Sequence, residues 1–208
     1  MKVLLCLAVG SLVTFAAMNL FAQDRMPPIP ADKMTDQQKK AVEEFRAARK
    51  AEPNGPFTPM LRSPEVMTRA RAMGDYLRYN SSLPPKLSEF VILMTSRHWT
   101  QQYEWSVHYP IAISAGISTD VAKAIADGRR PDKMQEDEEI LYNLVTELQR
   151  NQSVSDASYA RALSRFGERG VIDTVGIVGY YSLLAMVLNT ARTPAAEGAA
   201  PALPPFPR

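Results

Sequence analysis

The stretch WTQQYEWSVHYP, residues 99–110, sets Gln101, Glu104 and His108, one of the two histidines in the chain, among aromatic residues. On an ideal helix at about 100° per residue, Gln101, Glu104, Trp105, His108, Ile111, Ala112 and Ala115 fall within an arc of roughly 120°. Gln102, Ser106 and Ser114 lie on the other side, so the polar trio belongs to the apolar face. A buried carboxylate or imidazole costs several kcal/mol unless it finds a partner. Glu104 stands one helical turn before His108, the spacing at which side chains meet, and the two are expected to pair. Pro110 removes the hydrogen bond that would reach Ser106 and is expected to kink the helix there.

The preceding segment, KLSEFVILMTS (residues 86–96), is apolar nearly all round except for Glu89, which shares a side with Ile92, Leu93 and Ser96. Two carboxylates and an imidazole therefore converge from adjacent helices. One reading is a structural polar network tying the helices together. The other is general acid–base catalysis, for which mutually perturbing titratable groups are the usual material. In that reading Glu89, Glu104 and His108 are catalytic, and Gln101 and Trp105 line the substrate pocket. A metal is not expected, because one dependable histidine and no usable cysteine give too few donors for a closed zinc site. His98, near the end of its helix and turned away from Glu89, reads as structural or surface. No serine nucleophile motif and no glycine-rich phosphate loop is present.

Around this pair of helices the chain punctuates itself as an all-α protein. TDQQ at residues 35–38 is a capping box, and Ser63 with Pro64 opens a second helix after a loop containing EPNGPF. Further helices are expected over residues 86–97, from Ser118 to about Gly128, from EDEE to Arg150, from Ser155 to about Glu168, and over 171–190. No alternating run flanked by hairpin turns suggests a sheet. The 171–190 segment is long and apolar, but Asp173, two tyrosines and Asn189 favour a buried helix over a membrane span.

The ends differ in character. Lys2 followed by VLLCLAVGSLVTFAAMNLFA, uncharged until Asp24, reads as a secretory signal over residues 1–22, so the folded part is expected to be exported, periplasmic or extracellular, with no stable membrane association after cleavage. Residues 23–34 form a proline-rich approach segment, expected to be mobile, residues 35–193 one helical domain, and residues 194–208 a disordered Pro/Ala-rich tail. The only cysteine, Cys6, falls in the signal, which leaves the mature chain without a thiolate or a disulfide. With a formal net charge of +2 and no basic run, the chain gives no electrostatic case for nucleic acid.

Glu89, Gln101, Glu104 and His108 reproduce a spacing that resembles the carboxymuconolactone decarboxylase and alkyl hydroperoxidase D superfamily. The similarity extends over most of residues 55–194. QYEWSVH followed by AGIS looks like the decarboxylase-type motif, EDEEILYNLVTEL like the family's next helix, and DTVGIVGYYSLLAMVLNT like its last. The resemblance implies a single-domain multi-helix fold. In the hydroperoxidase branch a glutamate and a histidine assist a Cys-x-x-Cys pair. Glu89 and His108 fall on the first two, while Gln101 and Glu104 occupy the cysteine positions, which removes thiol chemistry. In the decarboxylase branch an unsaturated lactone acid loses carbon dioxide without a cofactor.

The expectation is an exported, cofactor-free lyase or isomerase moving a proton on a small carboxylated or lactone substrate. A non-enzymatic helical binding or structural protein of the same fold is the alternative. A cavity reaching both Glu104 and His108 separates the two. Self-association, as a trimer or hexamer, is implied by the resemblance.

Overall fold

Helices start where local signals place them. In the computed structural model, which describes residues 24–195 and 202–204, Thr35 accepts from the Gln38 amide and donates its own amide to the Gln38 side chain. This capping box opens α1 (Asp36–Arg49). Proline takes the first position of α3 (Pro64–Tyr79) and of α4 (Pro85–His98), where an amide hydrogen has no helical partner to lose. Gln101 caps α5 (Gln102–Ser114), Ser118 caps α6 (Thr119–Ala126), and a Gln135–Glu138 box opens α7 (Glu136–Asn151). Ser155 caps α8 (Asp156–Ala191), whose two helical stretches join at Gly167, where φ is 68°, a value glycine adopts without strain. Among the described residues there is no strand. The expected signal at residues 1–22 lies outside the described residues.

Three expectations are corrected. The stretch read as a loop after α1 contains α2 (Phe57–Met60), which exists because Phe57, Pro59 and Met60 are buried, with the Phe57 ring 5.0 Å from that of Phe45. The proline-rich approach segment is docked: Ile29 and Met34 pack on the core, and the Arg25 amide donates to the Ala191 carbonyl at 2.7 Å. At residues 202–204 the tail is likewise anchored, since Leu203 is buried and exchanges two hydrogen bonds with the Gln102 side chain, at 2.8 and 3.0 Å. Arg97 donates to the neighbouring Pro204 carbonyl. In each case one to three side chains in a proline-bearing stretch find a place on the core, and composition does not carry that information.

The hub is α4. Every residue from Leu87 to Arg97 is buried, and the helix packs against α5, α6, α7 and α8. Burying Phe90, Val91, Ile92 and Leu93 contributes about 1.5–3 kcal/mol each, which explains an apolar run with no solvent face. Along α8, Ile177, Tyr180, Tyr181, Leu184 and Leu188 face inward. That helix is long and apolar enough to cross a membrane by length and composition, yet this side of it is core. Pro110 does not interrupt α5, and Ser106, buried rather than solvated, satisfies its hydroxyl on the Tyr103 carbonyl at 2.8 Å. Ile111, expected inside, is exposed instead.

Candidate active site

The crossing of α4 and α5 brings Glu89 and His108 together. His108 Nδ1 lies 2.7 Å from Glu89 Oε2, both side chains buried. With Glu89 accepting, Nδ1 carries the hydrogen and Nε2 is the atom turned toward Glu104. Glu104 Oε2 stands 3.6 Å from Nε2, too far for a hydrogen bond. The expected pairing of Glu104 with His108 is thus corrected: Glu89, from the neighbouring helix, is the partner, and Glu104 is a second carboxyl on the far side of the ring. The Tyr181 ring meets the imidazole edge-on at 5.0 Å and closes its remaining side.

Glu104 is the anomalous group. It is 3% exposed, and its Oε1 has no hydrogen-bond partner. Burial pushes its pKa up, against the pull of His108 and Arg78, and the nearby Glu89 adds to the rise. A carboxyl in this position favours the neutral, proton-carrying form. Both groups open onto a cavity of about 70 Å³. Arg49 and Phe57 line it from α1 and α2, Arg78 from α3, Tyr103 and Val107 from α5, and Tyr180, Tyr181 and Leu184 from α8. Burial raises the phenols as well: Tyr180 is pushed up to about 12, and Tyr181 well above its ordinary value.

Gln101 and Trp105, expected in the pocket, do not line it. The buried Gln101 side chain accepts from the Tyr103 amide at 2.5 Å and donates to Asn189 Oδ1 at 2.9 Å, so it fixes the start of α5. Trp105 is core, its ring 5.7 Å from Tyr109. His98 sits at the end of α4 against Trp99, away from the cavity. The lining residues that sequence patterning missed are Arg49, Arg78, Tyr180 and Tyr181. The arginines sit on amphipathic helices where a charge reads as solvated, and only the adjacent tyrosines in an apolar helix gave a visible sign. Two glycines make room for the rings: a Cβ at Gly55, where φ is 52°, would lie 2.5 Å from Tyr103, and one at Gly74 would lie 2.2 Å from the Tyr180 hydroxyl. Among the described residues no group of three His, Cys, Asp or Glu side chains is arranged to hold a metal.

Neither the family models nor the curated proteins compared with the chain give a match. Solved structures do. A peroxidase-related protein from a Silicibacter species superposes with a TM-score of 0.68 at 15% identity, covering 86% of this chain and 96% of that one. The alkylhydroperoxidase AhpD core of a peroxidase-related protein from Ralstonia eutropha gives 0.65 at 16% identity, covering 83% and 92%. The debrominase Bmp8, in a complex with 2,3,4-tribromopyrrole, gives 0.64 at 12% identity, covering 85% and 94%. At these identities the likeness is one of fold, the alkyl hydroperoxidase D-like all-α fold.

Proposed function

On the alkyl hydroperoxidase D-like scaffold, we propose that the protein is an exported, cofactor-free lyase or isomerase that moves a proton on a small carboxylated or lactone substrate. The observation that carries the reading is the buried Glu104 carboxyl, short of a hydrogen bond and lining a cavity beside a histidine that Glu89 orients. In a decarboxylation, the bond from the substrate skeleton to its carboxylate breaks, and the electron pair enters the conjugated system as carbon dioxide leaves. The proton of Glu104 then ends on carbon, and Glu104 recovers a proton from water. In an isomerisation His108 Nε2 takes the proton from one carbon, Glu104 delivers its own proton to another, and the proton on His108 then passes to the Glu104 carboxylate to restore both groups. General acid–base assistance of this kind is worth about 10²–10⁴-fold.

The reading of Glu89, Glu104 and His108 as mere core architecture is disfavoured because the cavity reaches both Glu104 and His108. A debrominase of this fold takes a small planar ring, which is compatible with a small planar substrate here. Export rests on the charged start and the uncharged run before Asp24. We also propose self-association as a trimer or hexamer. The test of function is incubation of the purified protein with small unsaturated lactones and acids in deuterated water. Carbon dioxide release or deuterium uptake at carbon, lost in Glu104→Gln, is expected; equal exchange in that variant excludes the assignment.

A further inference from the structure

Arg49 and Arg78 both line the cavity, and their circumstances differ. Arg49 is engaged: it pairs with Asp75 at 2.9 Å and lies over the Phe57 ring at 4.6 Å. Asp75 is also held by Arg71 at 2.6 Å, so Arg49 shares a fixed carboxylate with a second arginine. Arg78 is half-buried, and among the described residues its guanidinium makes no hydrogen bond and no ion pair, only lying 5.6 Å over the Tyr79 ring. A guanidinium taken partly out of water without an anion is costly unless something supplies one.

We propose that Arg78 is the receptor for a substrate carboxylate, so that the site takes a small organic acid rather than a neutral lactone. The inference rests on the proton-transfer reading of the same cavity and adds what orients the substrate within it. The planar fork of a guanidinium matches the two oxygens of a carboxylate, and such charge-assisted pairs are stronger and more directional than neutral hydrogen bonds. Burial weakens the charge on Arg78, but the combined pull of Tyr181, Tyr79, Glu89 and Tyr180 outweighs it, so the cation persists at any working pH. Its charge is also felt at Glu104 and Tyr181, which places the three around one space. An acid anchored on Arg78 has Glu104 and His108 within the same small cavity. A cation on a departing carboxylate holds back its loss, so the anchored carboxylate is one the product retains. Arg78 is therefore a binding and orienting residue, and the proton moves elsewhere in the cavity.

Crotonate and its neutral twin crotonamide, titrated into the purified protein and followed by saturation-transfer NMR, test this without turnover. The wild type is expected to prefer crotonate by about tenfold or more, the worth of a hydrogen-bonded charge pair. Arg78→Met should abolish the preference, Arg78→Lys should keep part of it, and Arg129→Met, outside the cavity, should keep all of it. Because no partner is left unsatisfied, Arg78→Met is expected to fold, which its melting curve checks. Equal binding of both probes by the wild type, or a preference that survives Arg78→Met, overturns the proposal. Glu104→Gln separates the two readings: it should retain the crotonate preference while losing turnover. Full turnover in that variant defeats the proton-transfer assignment and leaves the carboxylate receptor standing.

Discussion

His108 is held from the neighbouring helix: its Nδ1 lies 2.7 Å from Glu89 on α4, whereas Glu104, one turn away on α5, stops 3.6 Å from Nε2. In the proposed reaction the two carboxyls divide the work, one orienting the ring and the other giving up its proton. Glu89→Gln keeps a side chain of the same shape but can no longer offer a carboxylate to Nδ1. It should lower turnover by about 10-fold to 10²-fold through misorientation, less than the 10²–10⁴-fold expected for Glu104→Gln. His108→Ala should also destabilise the fold, since Glu89 is left buried without its partner, by about 3–5 kcal/mol. Steady-state rates and urea unfolding of the three variants check the ranking. An active Glu104→Gln beside an inactive Glu89→Gln would reverse the assigned roles.

Glu104 also sets a pH dependence whose sign is fixed by burial. Its folded pKa is raised above its unfolded value, so the folded state binds this proton more tightly. The resulting stabilisation is fully present below the unfolded value, near 4.5, and is lost as pH rises through the folded one. Across that interval the wild type should lose about 1.4 kcal/mol per pH unit relative to Glu104→Gln, which stays neutral. Turnover, which uses the protonated carboxyl, should fade over the same alkaline limb. Urea unfolding of both proteins at several pH values measures the difference; parallel curves would show that Glu104 does not titrate in that window.

Helical periodicity made much of this legible. The face of α5 that buries Glu104 and His108, and the all-apolar character of α4 around Glu89, both follow from spacing alone. Which carboxyl takes the imidazole does not, because that depends on the rotation and crossing of α4 against α5. Gln101 was drawn to the cavity by its position one turn before Glu104, but the helix begins after it and turns its amide to capping. Arg78 follows Leu77 on an amphipathic helix and reads as a solvent charge until α8 brings Tyr180 and Tyr181 over it. Leu203 lies in a run whose composition argues for no packing at all, yet a single buried side chain and two hydrogen bonds suffice to pin it.

Thiol-dependent reduction of hydroperoxides is expected to be absent, although two of the structural relatives are described as peroxidase-related. The chain has one cysteine, Cys6, and Gln101 and Glu104, which the resemblance sets at the positions of a redox pair, carry no sulfur. Disulfide exchange needs a thiolate nucleophile and a second sulfur to resolve the product. Purified mature protein supplied with a hydroperoxide and a dithiol reductant should show no consumption above the uncatalysed rate. Saturable thiol-linked turnover would contradict the assignment.

The proposed self-association has a surface to use. Ile172 is 67% exposed on α8, with Val175 and Met186 also exposed on that helix, and Met73, exposed on α3, reaches within 4.0 Å of the Cβ position at Gly176. A patch of this kind on a chain with little net charge favours burial between copies. Light scattering at micromolar concentration is expected to give a trimer or hexamer, and Ile172→Glu to shift it toward smaller species. A monomeric wild type counts against the proposal.

The last expectation concerns how Tyr180 reaches the cavity. Its hydroxyl approaches α3 so closely that a Cβ at Gly74 would sit 2.2 Å from it and 2.5 Å from the ring carbon that bears it. Tyr180 is 2% exposed, so the ring has no solvent into which to swing. Gly74→Ala should therefore cost about 1–3 kcal/mol as overpacking, despite alanine's better helix propensity, and should lower turnover by pushing Tyr180 into the cavity. Gly179 supplies the control: it lies on α8 beside Tyr180, and nothing stands within 4 Å of its Cβ position. Gly179→Ala should be neutral or stabilise by up to about 1 kcal/mol, since alanine loses less backbone entropy on entering a helix. Thermal melts of the two variants, one residue type and one substitution apart from each other only in surroundings, should move in opposite directions; a Gly74→Ala protein as stable as Gly179→Ala would mean that Tyr180 does not occupy the place against α3 that shapes the site.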